Sequence, residues 1–251
     1  MTFYDLHQQE EPLLIFNVWD VPSAKLAQQL NFGALGTSSS AIASMLGYRD
    51  GEEMGFDELE YIVERIISNT DLPLSVDLES GYSREPEEIT GHIRRLANLG
   101  VVGINIEDSV VSKERTLLDA DEFAQTLSKI TEELAKNQTE VFINVRTDTF
   151  LLNQPNALVE TQKRAKLYES AGANGIFVPC MESESDIEQI VNCTTLPLNV
   201  MCMPKLPDFA ILKKLGVKRI SMGNFLFPKM SDALKSITEK VLDQKSFKPV
   251  F

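Results

Sequence analysis

Short apolar segments recur along this chain, and a stretch with helical periodicity follows each of them. Segments of four to eight mostly apolar residues, bounded by Gly or Pro, are typical of buried parallel strands. The pattern therefore predicts eight strands. They are LLIFNVW (13–19), GALGTSS (33–39), LPLSVDLE (72–79), VVGINIE (101–107), VFINVRT (141–147), GIFVP (175–179), LPLNVMC (196–202) and KRISMG (218–223).

The intervening stretches predict helices. FDELEYIVERIISNT places apolar residues at helical spacing, and DADEFAQTLSKITEELAKN predicts a long amphipathic helix. A last helix, over residues 229–243, follows the eighth strand. Eight strand–helix units without a break in composition predict one (β/α)8 TIM barrel spanning residues 1–251 as a single domain. The main rival is an open doubly wound sheet, but no G-x-G-x-x-G follows the first strand.

Composition limits the classes of partner. The chain has 251 residues, 43% of them hydrophobic, and a formal net charge of −13. So acidic a chain argues against nucleic acid or an anionic membrane as partner, although local basic residues could hold a small anion. The sequence has no apolar run long enough to span a bilayer and no secretory signal, so neither is expected.

Cysteine and histidine usage excludes several chemistries. Cys180, Cys193 and Cys202 are an odd number without ligand-like spacing, which argues against a disulfide framework or structural zinc and favours a cytoplasmic location. With His7 and His92 as the only histidines, a three-histidine zinc site is excluded. Neither lies at a strand end, which also argues against a Ser-His-Asp triad.

Acidic residues cluster where three neighbouring strands end. Side chains alternate along a strand, so residues i and i+2 share a face, and the C-terminal strand ends carry the chemistry of a barrel. Three such sets are expected at the mouth. They are Asp77 with Glu79, Asn105 with Glu107, and Asn144 with Arg146 and Asp148.

Two interpretations of this cluster stay open. So many carboxylates repel one another, and a divalent cation would remove the repulsion; oxygen ligands alone favour Mg²⁺ or Mn²⁺. The alternative is a polar barrel plug in which Arg146 neutralises the acids through ion pairs. The absence of a lysine from every strand interior argues against a Schiff-base aldolase.

Two further strand ends carry candidate substrate-binding residues. TSSS, with Ser38 and Ser39, could hold a carboxylate or phosphate at the start of a helix, or simply cap that helix. Trp19 and Asp20 close the first strand. They could contact the substrate, or Trp19 could pack in the core while Asp20 caps the next helix.

Four motifs in order carry a resemblance. LGTSSSAIASMLGYRD, LPLSVDLESGYS, GVVGINIEDS and INVRTD resemble the isocitrate lyase/phosphoenolpyruvate mutase superfamily over about residues 13–227. The resemblance implies a (β/α)8 barrel whose last helix swaps onto a neighbouring subunit, giving homodimers or homotetramers. It also implies a Mg²⁺-dependent enzyme that stabilises the enolate of a small anionic 2-oxo acid while a C–C or C–P bond breaks or forms.

The resemblance also implies roles for individual residues. Asp77, Glu79 and Glu107 match the acidic metal-binding positions, with Asp77 as the most direct ligand and the others acting partly through water. Ser38 and Ser39 match the turn that binds the substrate carboxylate. Three residues match catalytic positions, with Asp108 and Asp148 as supporting candidates: Asp50 reaches the reaction centre, Arg146 clamps the oxo acid, and Lys113 fills the place of a loop lysine.

The departures from the family pattern concern specificity. The lyase branch carries a cysteine-containing loop after the fourth strand, whereas this chain reads EDSVVSKERTLLDADEF, which argues against isocitrate or 2-methylisocitrate lyase activity. Glu79 and Ser83 also replace the usual Asp and Gly. Phosphonopyruvate-like and oxaloacetate-like substrates remain candidates. So do a Mg²⁺-dependent aldolase and a barrel that has lost catalysis and serves in ligand binding or assembly.

Overall fold

The computed structural model describes residues 2–251, and within them eight parallel strands close into a barrel. A two-stranded antiparallel hairpin, β5–β6, follows the fourth strand. The barrel strands are β1 (Leu13–Val18), β2 (Ala34–Thr37), β3 (Leu74–Asp77), β4 (Gly103–Glu107), β7 (Phe142–Arg146), β8 (Gly175–Val178), β9 (Leu198–Met201) and β10 (Arg219–Ser221), and the hairpin consists of β5 (Ser109–Val111) and β6 (Arg115–Leu117).

Helices follow the barrel strands and cover the barrel from outside. The long helix predicted after the fourth strand is present as α6, and the last predicted helix is present as α10. The helices are α1 (Phe3–Leu6), α2 (Val21–Gln29), α3 (Ser39–Leu46), α4 (Phe56–Ile67), α5 (Pro86–Leu99), α6 (Ala120–Lys136), α7 (Ala157–Ser170), α8 (Glu184–Val191), α9 (Phe209–Leu215) and α10 (Leu226–Gln244), with a 3-10 turn at Lys248–Val250.

Closure of the sheet decides between the two predicted architectures. Successive barrel strands pair in parallel, and β1 pairs with β10 through Leu13 with Arg219 and Ile15 with Ser221. The (β/α)8 prediction is therefore confirmed, and an open doubly wound sheet is excluded. The strands are shorter than their apolar segments, because several polar residues at the C-terminal ends have already left the ladder.

The main core lies between the strands and the surrounding helices. On α4, Leu59, Val63 and Ile66 are fully buried, so the apolar stripe predicted from their spacing faces the barrel. Burying each such side chain contributes about 1.5–3 kcal/mol. This outer core holds the barrel strands in register and thereby fixes the positions of their C-terminal ends.

The inside of the barrel is polar below its mouth. The amide of Asn144 donates to the side-chain oxygens of Asn105 at 2.9 Å and Asn199 at 3.1 Å. Deeper still, buried Arg219 donates to Ser75 and Asn105 at 3.4 Å, and burial lowers its pKa to about 10. The inward-facing asparagines thus form a polar layer beneath the strand ends.

The C-terminal helix α10 stands apart from this core. None of its residues, all of which the structure describes, is buried, although Met230, Leu234 and Ile237 are large and apolar. Across residues 2–251, every helix is too short or too polar to cross a membrane. All three cysteines are free thiols.

Candidate active site

A small cavity opens at the C-terminal mouth of the barrel, where the sequence predicts the chemistry. Its volume is about 220 Å³. The cavity is bounded by strand ends, by the start of α3 and by the hairpin. Its polar lining residues are Asn17, Thr37, Ser38, Ser39, Ser40, Asp50, Asp77, Asn105, Arg115, Arg146, Ser221 and Asn224.

A larger cavity, of about 670 Å³, lies on the outer side of the hairpin beside α7. Its charged lining includes Arg164 and Glu160, which already pair with each other at 2.7 Å. The strand-end carboxylate Asp77 and Arg146 line the smaller cavity instead. We therefore place the candidate active site in the smaller cavity.

Asp77, the last residue of β3, is held at the cavity floor by three neighbours. Ser39 Oγ donates to Asp77 Oδ2 at 2.7 Å, and the Asn105 amide donates to Oδ1 at 3.3 Å. The backbone N–H of Asp77 donates to Thr37 Oγ1 at 2.7 Å. These bonds fix the carboxylate of Asp77 in the site, as the sequence predicts.

Glu79 is buried and does not line the cavity, and strand alternation does not describe its position. β3 ends at Asp77, and Glu79 has a φ of 53°, in the left-handed region. The prediction that these two residues share a strand face is therefore wrong. Glu79 is nevertheless buried close to Asp77 and Glu107, and burial followed by repulsion from Glu107 and Asp77 raises the pKa of Glu79 well above its usual value.

Glu107 and Asp148 share Arg146. Arg146 donates from Nε to Asp148 Oδ1 at 2.7 Å and from Nη2 to Asp148 Oδ2 at 3.1 Å. Its Nη1 lies 3.0 Å from Glu107 Oε2. Although burial acts in the opposite direction, Glu107 and Asp148 hold the pKa of Arg146 well above its usual value. Arg146 thus makes the ion pairs expected of a polar plug, and it also lines the cavity.

Arg115, on β6, lines the cavity, although the sequence patterns above do not predict it there. Its Nη1 pairs with Glu107 Oε1, donates to Ser109 Oγ at 2.9 Å and lies 3.1 Å from Asp148 Oδ2. The signal in the sequence is a pair of β-branched stretches, SVV and RTL, on either side of SKE, which is a hairpin pattern.

Lys113 lies in the exposed turn of the same hairpin and does not line the cavity. The sequence interpretation that places Lys113 at the site is not matched by the structure. The antiparallel pairing of Val111 with Arg115 fixes which residue faces inward. The cation that the hairpin delivers to the site is therefore Arg115.

Asp50 completes the cavity from the loop after α3. Its half-exposed side chain lies with Oδ2 3.6 Å from Nη2 of Arg115. Partial burial and repulsion from Asp77 raise the pKa of Asp50. Burial also raises the pKa of Glu107 to about 7, against the attraction of Arg146. Perturbed carboxyl groups are characteristic of catalytic sites, although buried ion-pair networks also produce them.

The serines at the end of β2 divide the two roles considered for them. Ser38 is the N-cap of α3, and its Oγ accepts from the backbone N–H of Ala41 at 3.3 Å. Ser39 turns to Asp77 instead. Both line the cavity, so Ser38 caps the helix and also contributes to the cavity lining.

Trp19 and Asp20, predicted as possible substrate contacts, do not line this cavity. Trp19 is buried and packs edge-on against Phe227, with ring centroids 5.2 Å apart. Asp20 caps α2, accepting from the backbone N–H of Ser23 at 2.8 Å. The first strand ends at Val18, and the chain after it bends away from the barrel axis to start α2.

Asp108 supports the site from behind. Its Oδ1 accepts from the backbone N–H of Asp148 at 3.2 Å. Its Oδ2 accepts from Arg164 Nη1 at 2.8 Å and from the Tyr168 hydroxyl at 2.7 Å. Arg164 also donates from Nη2 to the carbonyl of Leu118 at 3.0 Å. This network joins α7 to the end of β4 and to the base of the hairpin.

The site suits a metal ion that keeps several waters better than one that is enclosed by protein ligands alone. Across residues 2–251 no three His, Cys, Asp or Glu side chains are arranged to hold an ion together. Asp77 faces the cavity, whereas Glu107 is engaged by two arginines and its buried Oε2 has no well-aligned hydrogen bond. Mg²⁺ keeps several waters and needs only one or two carboxylates, so this arrangement suits it.

Two curated proteins are similar in sequence to this chain over most of its length. An uncharacterised Mycobacterium tuberculosis protein is 36% identical over 89% of this chain and 82% of its own length. Oxaloacetate decarboxylase 1 of Pseudomonas fluorescens is 31% identical over 80% of this chain and 70% of its own length.

The similarity extends to solved structures. A Burkholderia cenocepacia protein, provisionally described as a phosphonomutase, superposes with a TM-score of 0.88 at 36% identity, covering 94% of this chain and 97% of its own. The family model for phosphoenolpyruvate phosphomutase matches residues 3–242. With the barrel closed and the motif residues gathered at its mouth, the chain belongs to the phosphoenolpyruvate phosphomutase family, within the superfamily that also contains the isocitrate lyases.

Proposed function

We propose that this protein is a Mg²⁺-dependent enzyme that cleaves or rearranges a C–C or C–P bond of a small 2-oxo acid through an enolate. The observation that carries the proposal is the convergence of Asp77, Asp50, Arg146 and Arg115 on one cavity of about 220 Å³. That volume suits a ligand of a few carbons. A lining that holds both carboxylates and arginines suits an anion that reaches the site together with a cation.

The metal site in this proposal centres on Asp77, with Glu79 and Glu107 acting through water. When bound, Mg²⁺ supplies Lewis-acid stabilisation of negative charge on the substrate oxygens. Ser39 keeps the carboxylate of Asp77 oriented toward the cavity through its 2.7 Å hydrogen bond. Oriented ligands of this kind are a general requirement of metal sites.

The chain's own residues supply the remaining chemistry. Arg146, fixed by its two bonds to Asp148, adds positive charge beside the place where the enolate charge develops. Asp50 has a raised pKa and a half-exposed side chain in the cavity lining, and it therefore suits proton transfer. Ser38 and Ser39 line the cavity and suit the substrate carboxylate.

Two kinds of 2-oxo acid are candidate substrates. One carries a phosphonate group, and the other carries a second carboxylate. The relatives named oxaloacetate decarboxylase support the carboxylate, and the phosphonomutase-like structure supports the phosphonate. The segment after β4 carries no cysteine, so we do not propose lyase chemistry that needs a thiol there.

A substrate panel tests the proposal. Oxaloacetate and phosphonopyruvate are incubated with the protein and Mg²⁺ or EDTA, and pyruvate release is followed with a coupled dehydrogenase. Phosphorus NMR detects rearrangement to phosphoenolpyruvate. We expect turnover of at least one substrate that EDTA abolishes and that Asp77→Asn lowers strongly. Turnover of neither substrate by the folded protein would contradict the proposal.

A second candidate is a barrel without catalysis that binds a ligand or serves in assembly. The specific observation in its favour is that Arg115 and Arg146 already neutralise Glu107 and Asp148. Thermal shift with Mg²⁺ and oxalate, a mimic of the pyruvate enolate, separates the cases. Stabilisation that is lost in Asp77→Ala supports a working metal and oxo-acid site, and an unchanged melting temperature in both proteins supports an assembly role.

We also propose that the protein forms a homodimer or homotetramer through α10. Met230 is 49% exposed and Leu234 is 67% exposed, and these residues recur at helical spacing along one side of α10 with Ile237. An exposed apolar stripe of this kind is typical of a helix that packs on a partner. A second copy of this chain is the partner that the superfamily resemblance supports.

A further inference from the structure

The hairpin β5–β6 delivers one charged side chain into the cavity. Arg115, the first residue of β6, lines the cavity with only 15% of its side chain exposed. Arginine is seldom buried without partners, and here three of its partners lie at Nη1. The two ends of that guanidinium therefore need separate descriptions.

The Nη1 end is fully engaged with protein. It pairs with Glu107 Oε1, donates to Ser109 Oγ at 2.9 Å and lies 3.1 Å from Asp148 Oδ2. The Nη2 end is held more loosely. It lies 3.6 Å from Oδ2 of Asp50, whose side chain is 46% exposed. An ion pair of this length with an exposed carboxylate contributes little and is readily replaced.

Arg146 has less capacity left for a ligand than Arg115. Its Nε and Nη2 donate to the two oxygens of Asp148, and its Nη1 lies 3.0 Å from Glu107. The positive charge of Arg146 can attract an anion placed beside it. A second anionic group needs another hydrogen-bond donor. In the cavity lining, Arg115 is the arginine with a loosely held amino group.

The loops that carry Arg115 and Asp50 are packed together. Gly51 has a φ of 103°, and a Cβ on it would lie 2.6 Å from Val111 of β5, so only glycine allows the approach. At the other end of the hairpin, Leu118 N–H donates to the carbonyl of Asp108 at 2.8 Å. Arg164 holds the Leu118 carbonyl at 3.0 Å. These contacts fix the hairpin, and with it Arg115, against the rest of the protein.

We infer that Arg115 binds the second acidic group of the substrate through Nη2, where Asp50 is its present partner. This inference rests on the proposed function and assigns recognition of the second acidic group to one residue. The substrate is a 2-oxo acid with a further carboxylate or phosphonate, and a 2-oxo acid without one is bound poorly. Displacement of Asp50 by that group also leaves the Asp50 carboxylate free beside the substrate, which suits its proposed part in proton transfer.

Isothermal titration calorimetry in saturating Mg²⁺ tests the inference with two probes. Oxalate mimics the enolate end alone, and 3,3-difluorooxaloacetate carries a 2-oxo acid with a second carboxylate. In Arg115→Met we expect the affinity for difluorooxaloacetate to fall about 10- to 100-fold, as for loss of a charged hydrogen bond. The affinity for oxalate should fall by a clearly smaller factor, because the enolate end does not contact Nη2 and loses only the support that Nη1 gives to Glu107 and Asp148.

Two further variants sharpen the comparison. Arg115→Lys keeps the charge but loses the planar fork, so its affinity for difluorooxaloacetate should fall between those of the wild type and Arg115→Met. Lys129→Met removes one exposed positive charge from α6 and should bind both probes as the wild type does. Circular dichroism checks that each variant is folded, and Arg115→Lys serves as the test if Arg115→Met is not.

The outcomes separate this inference from the proposed function. If the wild type binds neither probe, the proposed function fails and the inference fails with it. If the wild type binds oxalate but Arg115→Met weakens both probes equally, Arg115 only maintains the site. Unchanged affinity of both probes in Arg115→Met likewise overturns the inference while leaving the proposed function standing.

Discussion

Ser39 donates a hydrogen bond of 2.7 Å from its Oγ to Oδ2 of Asp77, and this bond joins the ends of β2 and β3 at the cavity floor. Ser39 is also the first residue of α3, and its neighbour Ser38 caps that helix. The helix start, the strand end and the proposed metal ligand therefore form one unit.

Ser39→Ala removes the donor to Asp77 without adding bulk. A group that orients a metal ligand typically contributes about 10- to 100-fold in metal affinity or activity. We therefore expect the apparent Kd for Mg²⁺ in the presence of oxalate to rise by about that factor. Ser44→Ala, an exposed position of the same helix, is the matched control. Equal Mg²⁺ affinity in both variants would contradict the role given to Ser39.

Asp50→Asn tests proton transfer. The variant keeps the shape of the side chain but cannot accept a proton, so kcat should fall by about 10²- to 10⁴-fold with a smaller change in KM. Glu64→Gln, an exposed change of the same charge on α4, should have the kinetics of the wild type. The measurement is steady-state turnover of whichever panel substrate is active. A variant with unaltered kcat would remove Asp50 from the chemistry.

His7 lies at the end of the barrel opposite the cavity, and its burial should make the stability of the protein sensitive to acid. Its ring stacks on Phe142 with centroids 4.0 Å apart, and burial lowers its pKa to about 3, with the charge of Arg219 acting in the same direction. The unfolded state therefore binds a proton below about pH 6.5 while the folded state does not. Stability present above that pH is lost as the pH falls toward 3.

Urea unfolding of wild type and His7→Phe at pH 7 and pH 5 measures this contribution. Between these values the wild type should lose about 2 kcal/mol more free energy of unfolding than His7→Phe. The phenyl ring keeps the stack on Phe142 and cannot titrate. The pH dependence that arises from carboxylates is the same in both proteins. An equal loss of unfolding free energy in both proteins would therefore mean that the fold does not hold His7 neutral.

Arg164→Met tests the network behind the site. The variant leaves Asp108 buried with the Tyr168 hydroxyl but without a positive partner. Removing one member of a buried ion pair costs about 3–5 kcal/mol, and the free energy of unfolding should fall accordingly. Lys166→Met, an exposed change on the same helix, should cost less than about 0.5 kcal/mol. A loss no larger than that of the control would show that Asp108 is not held as a buried charge.

Leu234→Glu tests assembly through α10. Light scattering after size-exclusion chromatography should give a dimer or tetramer for the wild type and a smaller species for the variant. Lys240→Glu also alters the charge of α10 but lies off the stripe formed by Met230, Leu234 and Ile237, and it should not change the mass. A monomeric wild type would contradict assembly through this helix.

Local sequence patterns predict most of the barrel, because each strand is an apolar segment that needs no distant partner to be recognised. The same patterns locate Asp77 and Arg146, the last residues of their strands, in the cavity lining. These patterns no longer predict side-chain positions one or two residues beyond the end of a strand. Glu79 follows the end of β3 in a left-handed conformation, where strand alternation no longer determines which way a side chain points.

The sequence by itself determined the fold, since the hydrophobic spacing repeats eight times and four motifs appear in family order. Only the tertiary structure decided which polar residues share the cavity. It excluded Trp19 and Asp20, which turn toward α2 and α10, and it brought Arg115 to carboxylates from β4 and the loop after β7. Those contacts depend on the path of the hairpin after β4. The hairpin is short and polar, so its hydrophobic pattern is too weak to predict that path from the sequence.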